Sequence, residues 1–386
     1  MLEILFLLLP LAASYGWYMG RRSMRHQQQN KQRKLSKEYF SGLNFILSNE
    51  SDKAVDFFID MLDVDDETIE THLSLGALFR KRGEVDRAIR IHQNLISRPS
   101  LASEQLEMAM SELGKDYMAA GFYDRAEEIF LSLLQQSDDT QEAEAQLISI
   151  YQTIKDWRKA IKVINSMNRS SRNEYLERQA HYYCQLSDET DDPAKKIKYL
   201  KLAIKQDAKC TRALLELAKV HASRKEYKQS KNYLLSILSA DIDFIADALE
   251  VTKEVYFAQS DTNGYRDFLQ QAIEKGAGVS VNLEVVHLLL QNQSLSEAEQ
   301  ILLDSLYQNP TMKGFQELMK LYLNQTKDDA SKDNLARLEK LVSQQIAYRP
   351  SYRCKSCGFP AHVLYWHCPS CKSWGKITRI KGIDGE

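Results

Sequence analysis

The stretch "LSLGALFRKRGEVDRA", Leu73–Ala88, has the pattern of two short helices joined by a tight turn. Leu75-Gly76 is followed three residues later by Phe79, then by a turn glycine, and then by Ala88. The same order returns in "MSELGKDYMAAGFYDRA", residues 110–126. In both stretches the final alanine begins a series in which residues four and seven positions later are mostly apolar, which is the spacing of one helix face.

This helix face recurs along most of the chain, with a period of about 34 residues. The predicted triplets are Ala54/Phe58/Met61, Ala88/His92/Leu95, Ala126/Phe130/Leu133, Ala160/Ile164/Met167, Lys196/Leu200/Ala203, Ser230/Leu234/Ile237, Tyr265/Leu269/Ala272, Ala298/Leu302/Ser305 and Asn334/Leu338/Leu341. Small residues at the helix crossings allow close approach, so each unit buries its face only by stacking on its neighbours.

The period and the residue order resemble the tetratricopeptide repeat. We therefore predict a mostly α-helical protein, with an α-solenoid of about nine repeat-like units over residues 37–346. Such a surface binds protein segments. Most aromatic side chains of this region are expected in the core, and His92 is expected as a packed residue rather than a ligand. Cys184 and Cys210 are isolated in sequence and are interpreted as buried thiols on helices.

Composition supports this fold class and narrows the function. The chain of 386 residues has only 7 prolines and 15 glycines, which favours helices, and strands are not expected before the last cysteines. Its formal net charge of −2 gives no general affinity for nucleic acid. No phosphate-binding glycine loop, nucleophile elbow or metalloprotease helix is present, so we predict no catalytic residues, no organic cofactor and no enzymatic activity.

The beginning of the chain predicts a membrane anchor. Residues 2–19 carry one charge, Glu3, and are just long enough as a helix to cross a bilayer. Basic residues begin at Arg21 and none precedes the apolar run, so the basic side is expected in the cytoplasm. A cleaved signal peptide is the alternative, but its positive charge would come first. We predict an anchor over residues 1–20 and a basic linker over 21–36, which places the cysteines in a reducing compartment.

The stretch "RCKSCGFPAHVLYWHCPSCKSW", Arg353–Trp374, predicts a metal site. Two Cys-x-x-Cys pairs can supply four thiolates to one tetrahedral ion, zinc or iron, within a small module over residues 348–386. The expected ligands are Cys354, Cys357, Cys368 and Cys371. His362 and His367 remain alternative ligands. Nearby basic side chains are expected to offset the charge of the centre, and Leu364, Tyr365, Trp366 and Trp374 are expected to pack around the module or against the last repeat. A closed four-thiolate site has no open position for catalysis.

The chain has an anchor, then repeats, then a cysteine module. This order of parts resembles that of the lipopolysaccharide assembly protein B family of Gram-negative bacteria. The resemblance implies an inner-membrane, single-pass protein facing the cytoplasm, with a rubredoxin-like or zinc-ribbon module in which the same four cysteines bind the metal. It also implies an adaptor that limits lipopolysaccharide synthesis. By the same resemblance, the adaptor is expected to promote proteolysis of the committed-step UDP-acyl-N-acetylglucosamine deacetylase by the membrane-anchored ATP-dependent metalloprotease. A scaffold for lipopolysaccharide-assembly enzymes and a rubredoxin-like electron carrier are the alternatives, and a homo-oligomer stays open.

Overall fold

The computed structural model describes residue 19 and residues 69–99, 101–137 and 139–386. The chain divides into two compact units, one ending at Ile150 and the other beginning at Tyr151, which are described separately. The predicted anchor (Met19 apart), the basic linker and the first repeat triplet lie outside the described residues. Of the helices that the structure describes, none combines the length and the apolar character needed to cross a membrane.

The described chain is a series of α-helices followed by three short strands, so the predicted mostly helical class is confirmed. Across residues 69–99, 101–137 and 139–386, no strand precedes Tyr352, as expected. The helices are α1 Ile69–Lys81, α2 Val85–Ile96, α3 Ser103–Ala120, α4 Tyr123–Gln136, α5 Gln141–Thr153, α6 Trp157–Ser166, α7 Arg169–Asn173, α8 Leu176–Asp188, α9 Pro193–Gln206, α10 Thr211–Ser223, α11 Tyr227–Ala240, α12 Ile245–Phe257, α13 Thr262–Glu274, α14 Val279–Gln291, α15 Leu295–Gln308, α16 Met312–Gln325 and α17 Asp329–Tyr348; a 3₁₀ turn covers Ile242–Phe244, and the strands are β1 Tyr352–Cys354, β2 Pro360–Ala361 and β3 Ile377–Arg379.

In the first unit, glycines let the two helices of each pair come close together. A Cβ added at Gly76 would lie 2.4 Å from His92 Nε2, and one added at Gly114 would lie 2.6 Å from Phe130 Cζ. Both distances are too short for two non-bonded heavy atoms, so a methyl group at either position would displace the facing ring. The predicted role of these small residues at the helix crossings is therefore confirmed.

His92 is fully buried, as predicted, and takes part in a polar network. Its Nδ1 lies 2.5 Å from Oδ2 of Asp116, which is also fully buried. Asp116 accepts a second bond from Arg80 NH1 at 2.7 Å, and Arg80 NH2 donates to Glu112 Oε2 at 2.6 Å. Burying an ionised carboxylate costs free energy unless the group has bonding partners. His92 and Arg80 supply these partners, which explains how Asp116 is accommodated between the helices.

The second unit keeps the repeat pattern through most of its length. The buried triplet positions are Ala160, Ile164, Met167, Leu200, Ala203, Ser230, Leu234, Ile237, Tyr265, Leu269, Ala272, Ala298 and Leu302, while Lys196 and Ser305 are half-buried. The last predicted triplet is wrong, because Leu338 and Leu341 on α17 are 52% and 59% exposed. The side of α17 that meets α16 instead carries Glu339 and Ser343, which both bond to Gln316.

The strands form a small antiparallel sheet of order β2-β1-β3. Tyr352 of β1 faces Ala361 on one side and Arg379 on the other. Only Tyr352, Cys354, Ala361, Cys368 and Ile377 form the buried cluster of this module. A core of this size contributes little hydrophobic stabilisation by itself.

Candidate metal centre

Each Cys-x-x-Cys pair lies in a tight turn of the same local structure. After the first pair, the Gly358 N–H donates to Cys354 O at 2.9 Å, and after the second pair the Lys372 N–H donates to Cys368 O at 3.0 Å. Gly358 and Lys372 both have left-handed backbones, with φ of 77° and 58°. The two turns therefore present their sulfur atoms in equivalent ways, as expected from the equal spacing.

The four cysteine Sγ atoms all lie within 4.8 Å of one another. The separations are 3.7 Å between Cys354 and Cys371 and 3.7 Å between Cys357 and Cys368. Four sulfurs at about 2.3 Å from a tetrahedral ion would be about 3.8 Å apart. The cluster therefore has the donor set and the spacing of a zinc-ribbon-type site for one metal ion, and this geometry suits zinc and iron alike.

Burial and hydrogen bonds shift the pKa values of two of the sulfurs in opposite directions. The backbone N–H groups of Ser370 and Cys371 point at Cys368 Sγ, although burial of this side chain outweighs them and raises its pKa to about 11. The Ser373 hydroxyl, 3.0 Å from Cys371 Sγ, lowers the pKa of that exposed thiol to about 6. Because a bound divalent cation favours the thiolate further, all four groups can ligate as anions.

The basic residues near the centre bond elsewhere. Lys355 donates to Asp243 at 3.0 Å and Lys376 to Glu177 at 2.7 Å, both on the helical part of the second unit. Lys372 donates to the carbonyl of Pro369 at 2.8 Å, and Arg353 is exposed. Lys355 and Lys376, two of the basic side chains expected to offset the thiolate charge, therefore also attach the module to the helices.

Neither histidine of the module belongs to the sulfur cluster. His362 is exposed, whereas the ring of His367 stacks on Trp374 with centroids 4.3 Å apart. Gln152 Nε2 lies 3.2 Å from His367 Nε2, so the imidazole is held between the indole and an amide of α5.

Trp374 anchors the module on the helices of the second unit. Its ring is 4% exposed and packs against Trp157, Tyr182 and His181, with centroids 6.0, 5.8 and 5.2 Å away. Its Nε1–H donates to Gln152 Oε1 at 3.1 Å. Of the two expected arrangements, packing within the module is seen in the stack of Trp374 on His367, whereas the helical contacts of Trp374 are made with α5, α6 and α8 rather than with the last repeat.

The other predicted packing residues differ in their surroundings. Trp366 stacks on Phe244 of the 3₁₀ turn, with centroids 5.2 Å apart. Leu364 packs into the core of the module itself, and Tyr365 is 44% exposed. The module thus uses two tryptophans on one side to contact the helices.

A carboxylate on α12 fixes the sheet. Asp247 Oδ1 accepts from the Tyr352 hydroxyl at 2.6 Å and from Arg379 NH2 at 2.9 Å. The guanidinium also lies over the Tyr352 ring, 5.3 Å from its centroid. Nothing in the sequence around Asp247 marks it as a partner of residues more than a hundred positions later.

The segment after β3 makes a further attachment. Glu386 Oε2 accepts from the Ser280 backbone N–H at 2.9 Å, and its Oε1 accepts from the Ser280 hydroxyl at 2.6 Å and from Lys313 at 2.7 Å. The Met312 N–H donates to Ile383 O at 2.8 Å. This segment therefore holds the starts of α14 and α16.

Cys184 and Cys210 are both buried, as predicted, but they are neighbours rather than isolated residues. Their thiols hydrogen-bond to each other, and this bond raises the pKa of Cys184 and lowers that of Cys210. Cys210 directly precedes α10 instead of lying within a helix.

Family models match a stretch in each of the two parts of the chain. Residues 352–378 match a family model described as a rubredoxin metal binding domain, and residues 71–102 match the tetratricopeptide repeat. A solved tetratricopeptide repeat protein from Parabacteroides merdae is similar to 66% of this chain and 98% of its own, at 16% identity and a TM-score of 0.34.

Full-length relatives are considerably closer. The chain is 41% identical to lipopolysaccharide assembly protein B of Escherichia coli strain K12, over 100% of both chains. It is 37% identical to the protein of the same name from Haemophilus influenzae, over 98% of both chains. Identity at this level over the whole length is shared by homologues, and the chain belongs to the lipopolysaccharide assembly protein B family.

Proposed function

We propose that this protein acts in lipopolysaccharide assembly as a membrane-anchored, non-catalytic adaptor. Its role would be to bring the UDP-acyl-N-acetylglucosamine deacetylase to the membrane-anchored ATP-dependent metalloprotease and so limit synthesis. The observation that carries the proposal is full-length identity to relatives named for lipopolysaccharide assembly, together with helix pairs of the tetratricopeptide type, which bind protein segments.

The metal has a structural role in this proposal. Cys354, Cys357, Cys368 and Cys371 would ligate one zinc or iron ion, and a closed four-thiolate shell leaves no position for a substrate. The module has a small core, so ion binding would supply much of its folding free energy. Through its contacts with α5, α8, α12 and α14, the folded module would then stiffen the helices that present the binding surface.

The proposed organisation keeps the bounds expected from the sequence. It consists of an inner-membrane anchor over residues 1–20, a cytoplasmic linker over 21–36, repeats over 37–346 and the metal module over 348–386. An adaptor held at the membrane shares a surface with a membrane-anchored protease, and such confinement raises the effective concentration of its cargo without any new contact.

The test is a pulse-chase of the deacetylase in cells that carry different forms of the adaptor. Removing residues 1–20 should lengthen the half-life of the deacetylase and raise lipopolysaccharide. The matched control replaces the same residues by an unrelated single-pass segment of the same orientation, which should restore rapid turnover.

If the protein is instead a scaffold for lipopolysaccharide-assembly enzymes, the same pulse-chase gives a different result. In that case the anchorless form leaves the half-life unchanged while lipopolysaccharide-assembly enzymes lose their association in crosslinking pull-downs. An unchanged half-life at normal expression of the anchorless form would rule out the adaptor.

A further inference from the structure

Residues 380–386, which follow β3, lie against the first turns of α14 and α16. We call these residues the strap. The Met312 N–H of α16 donates to Ile383 O at 2.8 Å, whereas the N–H groups of Gly382 and Gly385 bond to carbonyls of the strap itself. The strap is therefore a compact turn that rests on two repeat helices of the second unit.

Glu386 of the strap occupies a site that suits a carboxylate. Its side chain is only 6% exposed, and Oε2 accepts from the Ser280 backbone N–H at 2.9 Å. Its Oε1 accepts from Lys313 at 2.7 Å and from Arg379 NH1 at 3.2 Å. A Cβ added at Gly278 would lie 2.5 Å from Glu386 Cβ, so the glycine leaves the space that this side chain takes. A helix start, an ammonium and a guanidinium together favour a bound anion.

The donors of this carboxylate site are positioned by other parts of the second unit. Arg379 NH2 also donates to Asp247 at 2.9 Å, and Ser280 and Lys313 are carried by α14 and α16. Burial opposes ionisation of Glu386, but Lys313 and Ser280 outweigh it and lower the pKa of this carboxyl, so the bound group is an anion. A carboxylate from another segment can therefore take the place of Glu386.

Charge, rather than apolar burial, holds the rest of the strap. Ile383 is 55% exposed. Lys381 pairs with Asp243 at 2.6 Å, and its side chain is 64% exposed. Asp384 pairs with Arg349, and these two side chains are 44% and 41% exposed. Because exposed ion pairs contribute little to stability, the strap can leave at a small cost.

A cavity of about 360 Å³ remains beside the strap. Its lining includes the apolar residues Ile242, Val279, Pro310 and Ile383. The volume lies within the range of ligand sites, and the half-exposed Ile383 side chain leaves it open. This place therefore has room for a larger apolar side chain than the strap supplies.

We propose that the strap covers a peptide-binding groove and is displaced by a segment of a partner protein. The partner segment carries a glutamate for the carboxylate site and, three positions earlier, a large apolar residue for the cavity. The strap is autoinhibitory, because its covalent link to the groove gives it an effective concentration on the order of millimolar. This inference goes beyond the adaptor proposal and holds whether or not the deacetylase is the partner.

The experiment measures binding of a labelled peptide of residues 380–386, blocked at both ends, to the full-length, metal-loaded protein in detergent. Glu386→Gln in the protein weakens the strap, so fluorescence anisotropy should show at least tenfold tighter peptide binding than in the wild type. A peptide that carries Glu386→Gln should not bind. A peptide that carries Ile383→Phe should bind at least threefold more tightly than the native peptide, because the ring enters the cavity.

Two lysines of α16 locate the site in the Glu386→Gln protein. Lys313→Gln removes the ammonium that bonds to the carboxylate, and Lys320→Gln, an exposed lysine that pairs with Glu317, is the matched control. The tighter binding should be lost with Lys313→Gln and kept with Lys320→Gln. Equal affinities in these two double variants, or in the wild type and Glu386→Gln, would overturn the proposal. A Phe peptide that binds no better than the native one would show that the cavity is not part of the groove.

Hydrogen exchange of the wild type decides the question even if Glu386→Gln does not fold. Excess Phe peptide should speed exchange of the amides of residues 382–386, which bond within the strap, and leave β3 protected. Failure of this peptide to bind, or binding that leaves these amides unchanged, contradicts displacement of the strap.

Discussion

The contact between Asp247 and the sheet allows a quantitative test of how the metal module is held. Asp247→Asn keeps the shape of the side chain but removes the charge that faces Arg379 and the Tyr352 hydroxyl. Breaking a buried ion pair costs about 3–5 kcal/mol. Here Arg379 is 20% exposed and keeps a second carboxylate, Glu386 Oε1, at 3.2 Å from NH1. We therefore expect a smaller loss of about 2–3 kcal/mol in the free energy of module opening.

Amide hydrogen exchange measured by mass spectrometry on β1 and β3 reads out this opening. When opening and closing are fast compared with exchange, the exchange rate follows the opening equilibrium. A loss of 2–3 kcal/mol then corresponds to exchange that is roughly 30- to 150-fold faster. Asp243→Asn is the matched control on the neighbouring turn. Its partners Lys355 and Lys381 are 57% and 64% exposed, and such surface pairs contribute at most about 1 kcal/mol each.

Comparing the two variants distinguishes attachment of the module through the arginine contact from attachment through the exposed lysine pairs. Much faster exchange in Asp247→Asn than in Asp243→Asn supports attachment through the bidentate arginine contact. Equal exchange in the two variants, or faster exchange in Asp243→Asn, would refute the reasoning, because the exposed lysine pairs would then stabilise the module as much as the arginine does.

Three further changes have expected outcomes. Gly114→Ala should lower the free energy of unfolding of the first unit by about 1–3 kcal/mol in denaturant titrations, because the new methyl group would displace the Phe130 ring; unchanged stability would show that the ring has room to move. The bond between His287 and Glu317, with Nε2 and Oε2 3.5 Å apart, raises the pKa of His287 above 6.5 and lowers that of Glu317 from 4.5 to about 2. The histidine contribution is complete below about pH 6.5 and is lost as the pH rises through its folded pKa, whereas the carboxylate contribution is lost as the pH falls from about 4.5 towards 2. Protection of α16 from hydrogen exchange should therefore be greatest between about pH 4.5 and 6.5, and Glu317→Gln should make this protection less dependent on pH. Removing the metal with a chelator should abolish exchange protection in β1 and β3 while far-ultraviolet circular dichroism still reports the helices, and retained protection would mean that the module folds without the ion.

The sequence predicts the helix pairs well because their packing is local. Gly76 and His92, or Gly114 and Phe130, lie 16 residues apart within one unit, so a repeating pattern shows both partners. The pattern fails at α17, where Leu338 and Leu341 keep the spacing of the repeat but have no following helix among the described residues to cover them. Periodicity identifies a helix face, and only the neighbouring element decides whether that face is buried.

The cysteine cluster was predictable for the same reason, since a fixed two-residue spacing brings two sulfurs to one point. The surroundings of the cluster were not predictable. Trp374 bonds to Gln152 across 222 positions, and Tyr352 bonds to Asp247 across 105. No single-sequence pattern links residues at such distances, and a buried tryptophan in a small module is compatible with many partners.

The bond between Trp374 and Gln152 also has a consequence for synthesis on the ribosome. Chains grow at about 5–20 residues per second, so Gln152 would wait roughly 10–45 s before its partner is made. Helix pairs can form during that interval because their contacts are close in sequence. The site for the tryptophan would meanwhile expose Trp157 and Tyr182 to solvent, and nascent chains would present an aromatic patch that the completed chain hides. Because metal binding is expected to fold the module, scarcity of the metal should prolong this exposed state.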